Sequence, residues 1–407
     1  MKKRCVIAGA SSRALVMFTK RIGSGWCPEV ELTGIFDINP GRVLAHCRYS
    51  KSAKPYDDFD RMLDAEKPDI VIVTTVDAYH HEYIIKALEA GCDVITEKPM
   101  TIDAEKVGAI LEAERRTGKK ITVTFNYRFV PFVTKIREIM MSGQIGEVYN
   151  VHMEWLLDRN VAVMGHGASY FRRWNRYMEK SGGLLVHKST HHFDIINWFI
   201  GQNPVKVSAF GELRVYGRNG TYRGERCRTC GHKGECKFFY DIGKKPADVE
   251  LYLDTEKYDG YFKDQCLFDE DIDIFDTMAV NVRYDGGALL SYSLNAAAAY
   301  EGWRMSINGS DGRLEVGHAD TGYLSQTGFN TIRTYNLKGE VEEHTVLKEA
   351  GEHGGGDERL FRMLFDPSLP DPLGHMASST AGAHSVLIGA AANVSIRTGR
   401  IVDIPAL

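Results

Sequence analysis

The sequence predicts an α/β protein that opens on a doubly wound parallel sheet and continues into a second domain containing antiparallel strands. Three observations carry this. Short apolar runs alternate with helical stretches through the first third of the chain, the pattern of successive strand–helix units. The first run, RCVIAGA, passes through Gly9 into a serine turn and then into ALVMF, which reads as strand, tight turn, helix. Beyond residue 270, two alternating stretches surround Asp-Gly turns, the signature of adjoining hairpin strands.

The elements follow in order. VELTGIFD, ending at Asp37, is the second strand, RMLDAEKP a helix, and KPDIVIVTTV, ending near Thr75, the third strand. YIIKALEAG is a helix that Gly91 stops, CDVITEKP a fourth strand, and DAEKVGAILEAERRTG a helix closed by Gly118. In the second domain, residues 279–296 and 303–317 read as antiparallel strands, with turns at Asp285-Gly286-Gly287 and Asp311-Gly312. The run AHSVLIGAAANVSIRTG forms a terminal helix.

Composition narrows the function. A chain of 407 residues with 43% hydrophobic content accommodates two or three domains and a sizeable core. With 50 basic against 54 acidic residues, the net charge of -4 gives no reason to expect nucleic acid as a partner. No apolar run approaches the length of a membrane span, and the basic opening is broken too early for a signal peptide, so a cytoplasmic protein is expected. Eight dispersed cysteines do not make a disulfide framework.

In a doubly wound sheet the ligand lies at the carboxyl ends of the strands. Gly9, Ser11, Ser12 and Arg13 occupy the place of a phosphate loop, where backbone amides and a helix start stabilise a pyrophosphate. Only the first glycine of the usual motif is kept. Asp37, at the end of the second strand, suits the two ribose hydroxyls of NAD and repels a 2'-phosphate, so NAD is favoured over NADP. Arg42 is the one nearby group that suits that phosphate instead.

The fourth strand ends in Glu97-Lys98-Pro99, where proline restricts the lysine to an extended conformation at the carboxyl edge of the sheet. A lysine there can donate to a substrate hydroxyl and stabilise an alkoxide as hydride leaves. Thr74-Thr75 with His80, ALEAGCDVITEKP, FNYRFVP (125–131), SGQIGEVYNVH (142–152), GGLLVHKSTHHFDIINWFIG (182–201), EHGGGDERL (352–360) and AANVSIRTGRIVDIP (391–405) follow one another in this order. In that succession the chain resembles the Gfo/Idh/MocA family (glucose-fructose oxidoreductase / inositol dehydrogenase) over nearly its whole length.

The resemblance implies an N-terminal Rossmann domain over residues 1–128 and a C-terminal domain over 129–407, with a large, mostly antiparallel sheet often used to form homo-oligomers, here a dimer or tetramer. It implies a catalytic role for Lys98, with Glu97 beside the nicotinamide ribose and Thr74, Thr75, His80 and Asn126 bordering the cofactor. Tyr127 and Arg128 would face the substrate, and His353 would approach the same cleft.

The family pattern GG-x-x-x-D-x-G-x-H-x-x-D meets GGLLVHKSTHHFD here. His191 and Asp194 stand at the histidine and final aspartate, but His187 replaces the first aspartate and Ser189 the glycine. His191 suits general-base work, Lys98 would share the substrate hydroxyl, and His187 would hydrogen-bond substrate. Asp194 would meet substrate by the family pattern, although its chemistry better suits orienting a histidine or capping local structure. His187 and His191, four apart, also admit a metal reading if the segment is one helix, which the adjacent Lys188 opposes. Upstream, Tyr170, Arg172, Arg173 and Trp174 offer aromatic faces and guanidinium groups suited to a sugar ring.

An insertion at about 217–266 carries Cys227, Cys230 and Cys236, with Cys266 further on and His232 within the loop, a pattern compatible with structural zinc. The expected activity is NAD-dependent oxidation of a secondary CH-OH in a sugar, sugar derivative or cyclitol. The alternatives are a glycosidase working by transient oxidation, elimination and re-reduction, and a non-catalytic NAD-linked sensor.

Overall fold

A computed structural model describes residues 2–162 and 165–407. The first sheet is built from β1 (Lys3–Ala8), β2 (Val30–Phe36), β3 (Lys54–Tyr56), β4 (Ile70–Val73), β5 (Asp93–Thr96) and β6 (Ile121–Val123). Its order is β6-β5-β4-β1-β2-β3, all parallel. This is the doubly wound arrangement expected from the alternating apolar runs.

The intervening helices begin and end where their chemistry says they should. After the glycine turn the chain is helical through α1 (12–23), which contains a π turn at Leu15–Thr19. Asn39, Asp58 and Asp103 cap α2 (Pro40–Cys47), α3 (Phe59–Glu66) and, after α4 (His80–Glu89), α5 (Ala104–Thr117), each accepting a backbone N–H with its side chain. Gly118 ends α5 in the left-handed conformation, at φ 66°.

Helix α6 (Pro131–Met141) leads into the second sheet. That sheet contains β7 (Val148–Asp158), β8 (Pro204–Glu212), β9 (Thr277–Tyr284), β10 (Leu289–Ala298), β11 (Gly302–Gly309), β12 (Gly312–Ala319), β13 (Phe329–Asn336) and β14 (Val341–Leu347). Every pairing is antiparallel except β10 with β7. In β9 buried and exposed residues alternate strictly, so one face packs inward and the other stays open. The helical pair α7 (Leu184–His187) and α8 (Thr190–Ile200) precedes β8, and α9 (Gly356–Phe365) follows β14.

The chain then returns to the first sheet. Residues Ala377–Ser378 (β15) pair antiparallel with β6 and run directly into α10 (Ser379–Thr398), before Val402–Asp403 (β16) adds an edge strand to the second sheet. Helix α10 serves both halves. Near its start Gly382 lies against Val123 and Met100, while further along Gly389 meets the backbone of α7 and Asn393 donates to the carbonyl of Gly182 at 2.7 Å. No helix among the described residues is long and apolar enough to cross a membrane.

Two glycines of similar helical setting therefore respond oppositely to alanine. A Cβ at Gly389 would sit 2.3 Å from the Leu185 carbonyl oxygen, whereas a Cβ at Gly108 in α5 meets nothing within 4 Å. Gly389→Ala is expected to destabilise by about 1–3 kcal/mol through overpacking. Gly108→Ala is expected to stabilise by roughly 0.5–1 kcal/mol through helix propensity. Urea unfolding of the two variants beside the parent chain checks both signs.

Candidate active site

The end of β1 and the end of β4 come together at Gly9. Its φ is 100°, and a Cβ there would lie 2.6 Å from the backbone of Thr74 and Thr75, so only glycine allows the approach. Thr74 closes the turn, its hydroxyl donating to the Gly9 carbonyl at 2.5 Å. Ser11 caps α1 by accepting from the Ala14 amide. Asp37 sits at the end of β2 and accepts from the Ala10 amide at 2.7 Å, fixing the acid beside the loop. This cradle fits a dinucleotide: a glycine turn at a helix start with a carboxylate at the second strand's end. Asn126 adds an inward acceptor, because its Oδ1 is buried without a partner.

Arg42 is committed elsewhere. Its guanidinium pairs with Asp37 at 3.0 Å and with Asp259, from the insertion, at 2.6 Å. Arg13 is likewise engaged, with Glu97 at 2.8 Å and both oxygens of Asp357 in α9. Asp357 also accepts from Asn126 at 2.6 Å and lies 3.1 Å from His353. Burial alone would raise the Asp357 pKa, but His353 and Arg13 hold it well below the usual carboxylate range. His80 does not offer a free ring nitrogen to a cofactor. Its Nδ1 lies 2.9 Å from the Pro99 carbonyl and its Nε2 3.1 Å from that of Thr75, which ties the Lys98-Pro99 loop to the end of β4.

Lys98 reaches across from β5 to the second domain and donates to the carbonyl of His187 at 2.9 Å. Burial pushes its pKa down to about 8, with Asp77 acting in the opposite direction. The His187 ring meets Asp77 through Nδ1 at 2.5 Å. Burial drives this pair toward neutrality from both sides: it raises the Asp77 carboxyl, and together with Lys98 it lowers the imidazole. The imidazole standing at the family's aspartate position thus receives a carboxyl from residue 77. Asp77 was missed from sequence, where it is a lone acid in TTVDAYH whose partner lies 110 residues away.

The GGLLVHKSTHHFD segment separates its histidines. Gly182 and Gly183, at φ 67° and 69°, turn the chain into α7. The helix ends at His187 and α8 starts only at Thr190, so His187 and His191 do not share one continuous helical face. His191 is buried beside Tyr127 and Phe125, its Nδ1 unpartnered, and burial followed by the Lys98 charge keeps it neutral. His192 turns the other way, stacking on Trp155 at 3.4 Å and meeting the Tyr292 hydroxyl at 2.5 Å.

Arg128 and Asp194, both expected at the substrate, bind each other instead in a buried bidentate pair at 2.7 and 2.6 Å. Trp174 stands edge-on to His187 at 5.6 Å, and Arg173 lies over Tyr170 at 5.1 Å, so this group borders the His187 side of the cleft. Tyr170 also meets His166, which pairs with Glu301, each at 2.7 Å. His166 and Glu301 had no sequence signal, since neither lies in a recognisable motif.

The cysteine expectation is corrected. Cys227, Cys230, Cys236 and Cys266 all line one small cavity with His232. Yet among the described residues no group of three or more His, Cys, Asp or Glu is arranged to hold a metal ion. The Cys227 sulfur is instead met by the Arg172 guanidinium at 3.0 Å.

A dinucleotide cradle and a buried lysine at the carboxyl ends of strands of one sheet, with the second domain meeting that lysine, define an NAD-linked oxidoreductase. A family model described as the oxidoreductase family, NAD-binding Rossmann fold, matches residues 3–125, and one for that family's C-terminal alpha/beta domain matches residues 137–404. The chain belongs to the Gfo/Idh/MocA oxidoreductase family.

The Bacillus subtilis (strain 168) protein YteT, named an oxidoreductase, is 41% identical over 95% of this chain and 94% of its own. D-glucoside 3-dehydrogenase of Escherichia coli (strain K12) is 30% identical over 57% of this chain and 61% of its own. Among solved structures, the WlbA dehydrogenase of Bordetella pertussis, in complex with NADH and UDP-GlcNAcA, matches at TM-score 0.68 and 18% identity over 100% of both chains. The aldose-aldose oxidoreductase of Caulobacter crescentus matches at 0.65 and 17%, over 99% of this chain and 100% of that one.

Removing one member of the Arg128–Asp194 pair leaves a buried charge alone. Asp194→Asn is expected to cost about 3–5 kcal/mol in urea unfolding. The double variant Arg128→Met/Asp194→Leu should recover most of that loss, because neither charge then remains buried.

Proposed function

We propose that this protein oxidises a secondary alcohol of a sugar, sugar derivative or cyclitol, with NAD as hydride acceptor. The observation that carries the reading is the meeting of Lys98 and His187 across the domain seam, beside the neutral His191. The residues with a claim on the cofactor are Gly9, Ser11, Ser12, Asp37, Glu97 and Asn126; bound NAD supplies the carbon that accepts hydride.

His191, neutral and lacking a partner at Nδ1, takes the hydroxyl proton. Lys98, as the ammonium, donates to the oxygen that becomes negative while the C–H bond is lost. His187 and Asp77 position that ammonium through the His187 carbonyl and present the imidazole edge to the substrate. Trp174 offers its ring and Arg173 a guanidinium to the sugar, with the buried Tyr170 packed behind them. The D-glucoside 3-dehydrogenase name of one relative and the inositol 2-dehydrogenase name of another, 28% identical over 43% of this chain, are consistent with a polyhydroxylated ring.

One observation favours a second reading, glycoside cleavage by transient oxidation. The His166–Glu301 pair, joined to Tyr170, is a further acid-base group beside the same cleft. A ring ketone acidifies its neighbouring C–H. Loss of that proton expels the glycosidic oxygen with its electron pair and a proton, water adds to the enone, and the hydride returns to the ketone. The expected homo-oligomer is also a proposal: the open face of the second sheet exposes Phe210 and Leu289, and light scattering on the purified chain reports its mass.

Free sugars and aryl glycosides, assayed together for NADH and released aglycone, decide between the readings. Stoichiometric NADH is expected; aglycone without net NADH selects the second reading, and neither product overturns both. Lys98→Met should lower kcat by about a hundredfold or more while NADH still binds. The dependence on pH has a definite sign. The required Lys98 charge is present below its pKa of about 8 and lost above it, so kcat/KM for oxidation should fall by about tenfold per unit at higher pH. A rate that instead climbs through pH 8 would make Lys98 the proton acceptor.

A further inference from the structure

The insertion between β8 and β9 reaches the cofactor cradle of the first domain. It is rooted in the second domain at Asp276, whose carboxylate accepts the amides of Arg214, Val215 and Tyr216 where the insertion leaves β8. Arg226 then joins Asp264 and Glu256, and Lys263 pairs with Asp248, so the middle of the insertion is tied to its own return strand. From this base the turns Val249–Leu253 and Glu256–Asp259 cross to the Rossmann side.

The contacts made there fall on the residues that form the cradle. The Tyr252 hydroxyl accepts from the Ser12 amide at 3.0 Å and donates to the Ser12 hydroxyl at 3.1 Å, on the phosphate loop itself. The Thr255 carbonyl accepts from Asn39 at 3.0 Å, and Asp259 takes Arg42 at 2.6 Å, opposite Asp37. Leu251 is fully buried against Leu15 and Ala45. Gly41 makes room for the strap, since a Cβ there would lie 2.8 Å from Thr255 and Tyr258. A surface loop with no ligand to retain has little reason to spend a buried leucine, an ion pair and a tyrosine on a phosphate loop.

The geometry points to the segment 249–259 as a clasp over the adenosine-pyrophosphate end of the cofactor: Tyr252 holds the dinucleotide in place, and Asp259 biases the site toward NAD. The clasp joins the two domains across the cofactor, so the dinucleotide leaves only when these contacts part. Asp259 is a positioning residue. With Asp37 it occupies the Arg42 guanidinium from two sides and withholds it from a 2'-phosphate.

The inference rests on the reading of Gly9, Ser12 and Asp37 as an NAD site, and one experiment separates the two. NADH release from the full chain is followed by fluorescence after mixing with excess NAD, and NAD and NADP affinities are measured by calorimetry. Tyr252→Phe keeps the ring that lies under Lys263 and loses only the hydroxyl; it should release NADH about tenfold faster with an unchanged melting temperature. Asp259→Asn should move the NADP-to-NAD affinity ratio toward NADP by about tenfold, a change that loosening of the fold alone would not produce. Variants that release NADH and rank the cofactors as the parent does overturn the clasp. Variants that bind NAD faster and more tightly also overturn it, making the strap an obstruction. A parent chain that binds neither dinucleotide overturns the NAD reading and the clasp together.

Discussion

The proposed chemistry depends on keeping one lysine charged in a place that has been largely stripped of water. Burial penalises the ammonium, and a carboxylate in direct contact would relieve that penalty by making a closed ion pair. The chain does neither completely. Lys98 is met by the carbonyl of His187, a neutral acceptor, while Asp77, whose charge favours the ammonium, hydrogen-bonds with the His187 ring. The ammonium therefore stays polarising instead of being spent on a fixed partner.

That arrangement requires two domains to hold register within the length of a hydrogen bond. The ties between them are charged and specific. Arg13 of α1 grips Asp357 of α9, Asn126 binds the same carboxylate, and Arg128 beside β6 grips Asp194 of α8. Helix α10 adds the apolar counterpart, with small residues against each half along its length. Buried pairs of this kind contribute little net stability compared with apolar packing, but breaking one is costly, which disfavours relative sliding.

The first domain was legible because its signals are local. Alternating apolar runs and terminal glycines each act within a few residues of where they stand. The return of Ala377–Ser378 to the first sheet was not, since two residues carry no periodicity. The site was half legible. Lys98 announced itself through the proline that follows it, and Asp37 through its distance from the glycine turn. Asp77, His166 and Tyr252 gave no signal, because their meaning comes from partners 110, 135 and 240 residues distant. The metal readings failed for related reasons. Spacing in a sequence assumes the backbone between the ligands, and here α7 stops before α8 begins, while the four cysteines share a cavity without being arranged as ligands.

The replacement of a family aspartate by His187 then has a physical reading. An aspartate at that position would bring a negative charge close to Lys98 and raise its pKa. The His187–Asp77 pair keeps a hydrogen-bonding group at the same place while burial drives both members toward neutrality. Lys98 falls to about 8, and so remains mostly charged at pH 7 while being a more acidic donor than an ordinary lysine. A donor of lower pKa gives more to an oxygen that gains negative charge during reaction than to the neutral hydroxyl before it. On the proposed mechanism, exchanging the carboxylate for an imidazole would preserve the lysine's role and sharpen its preference for the transition state over the bound alcohol.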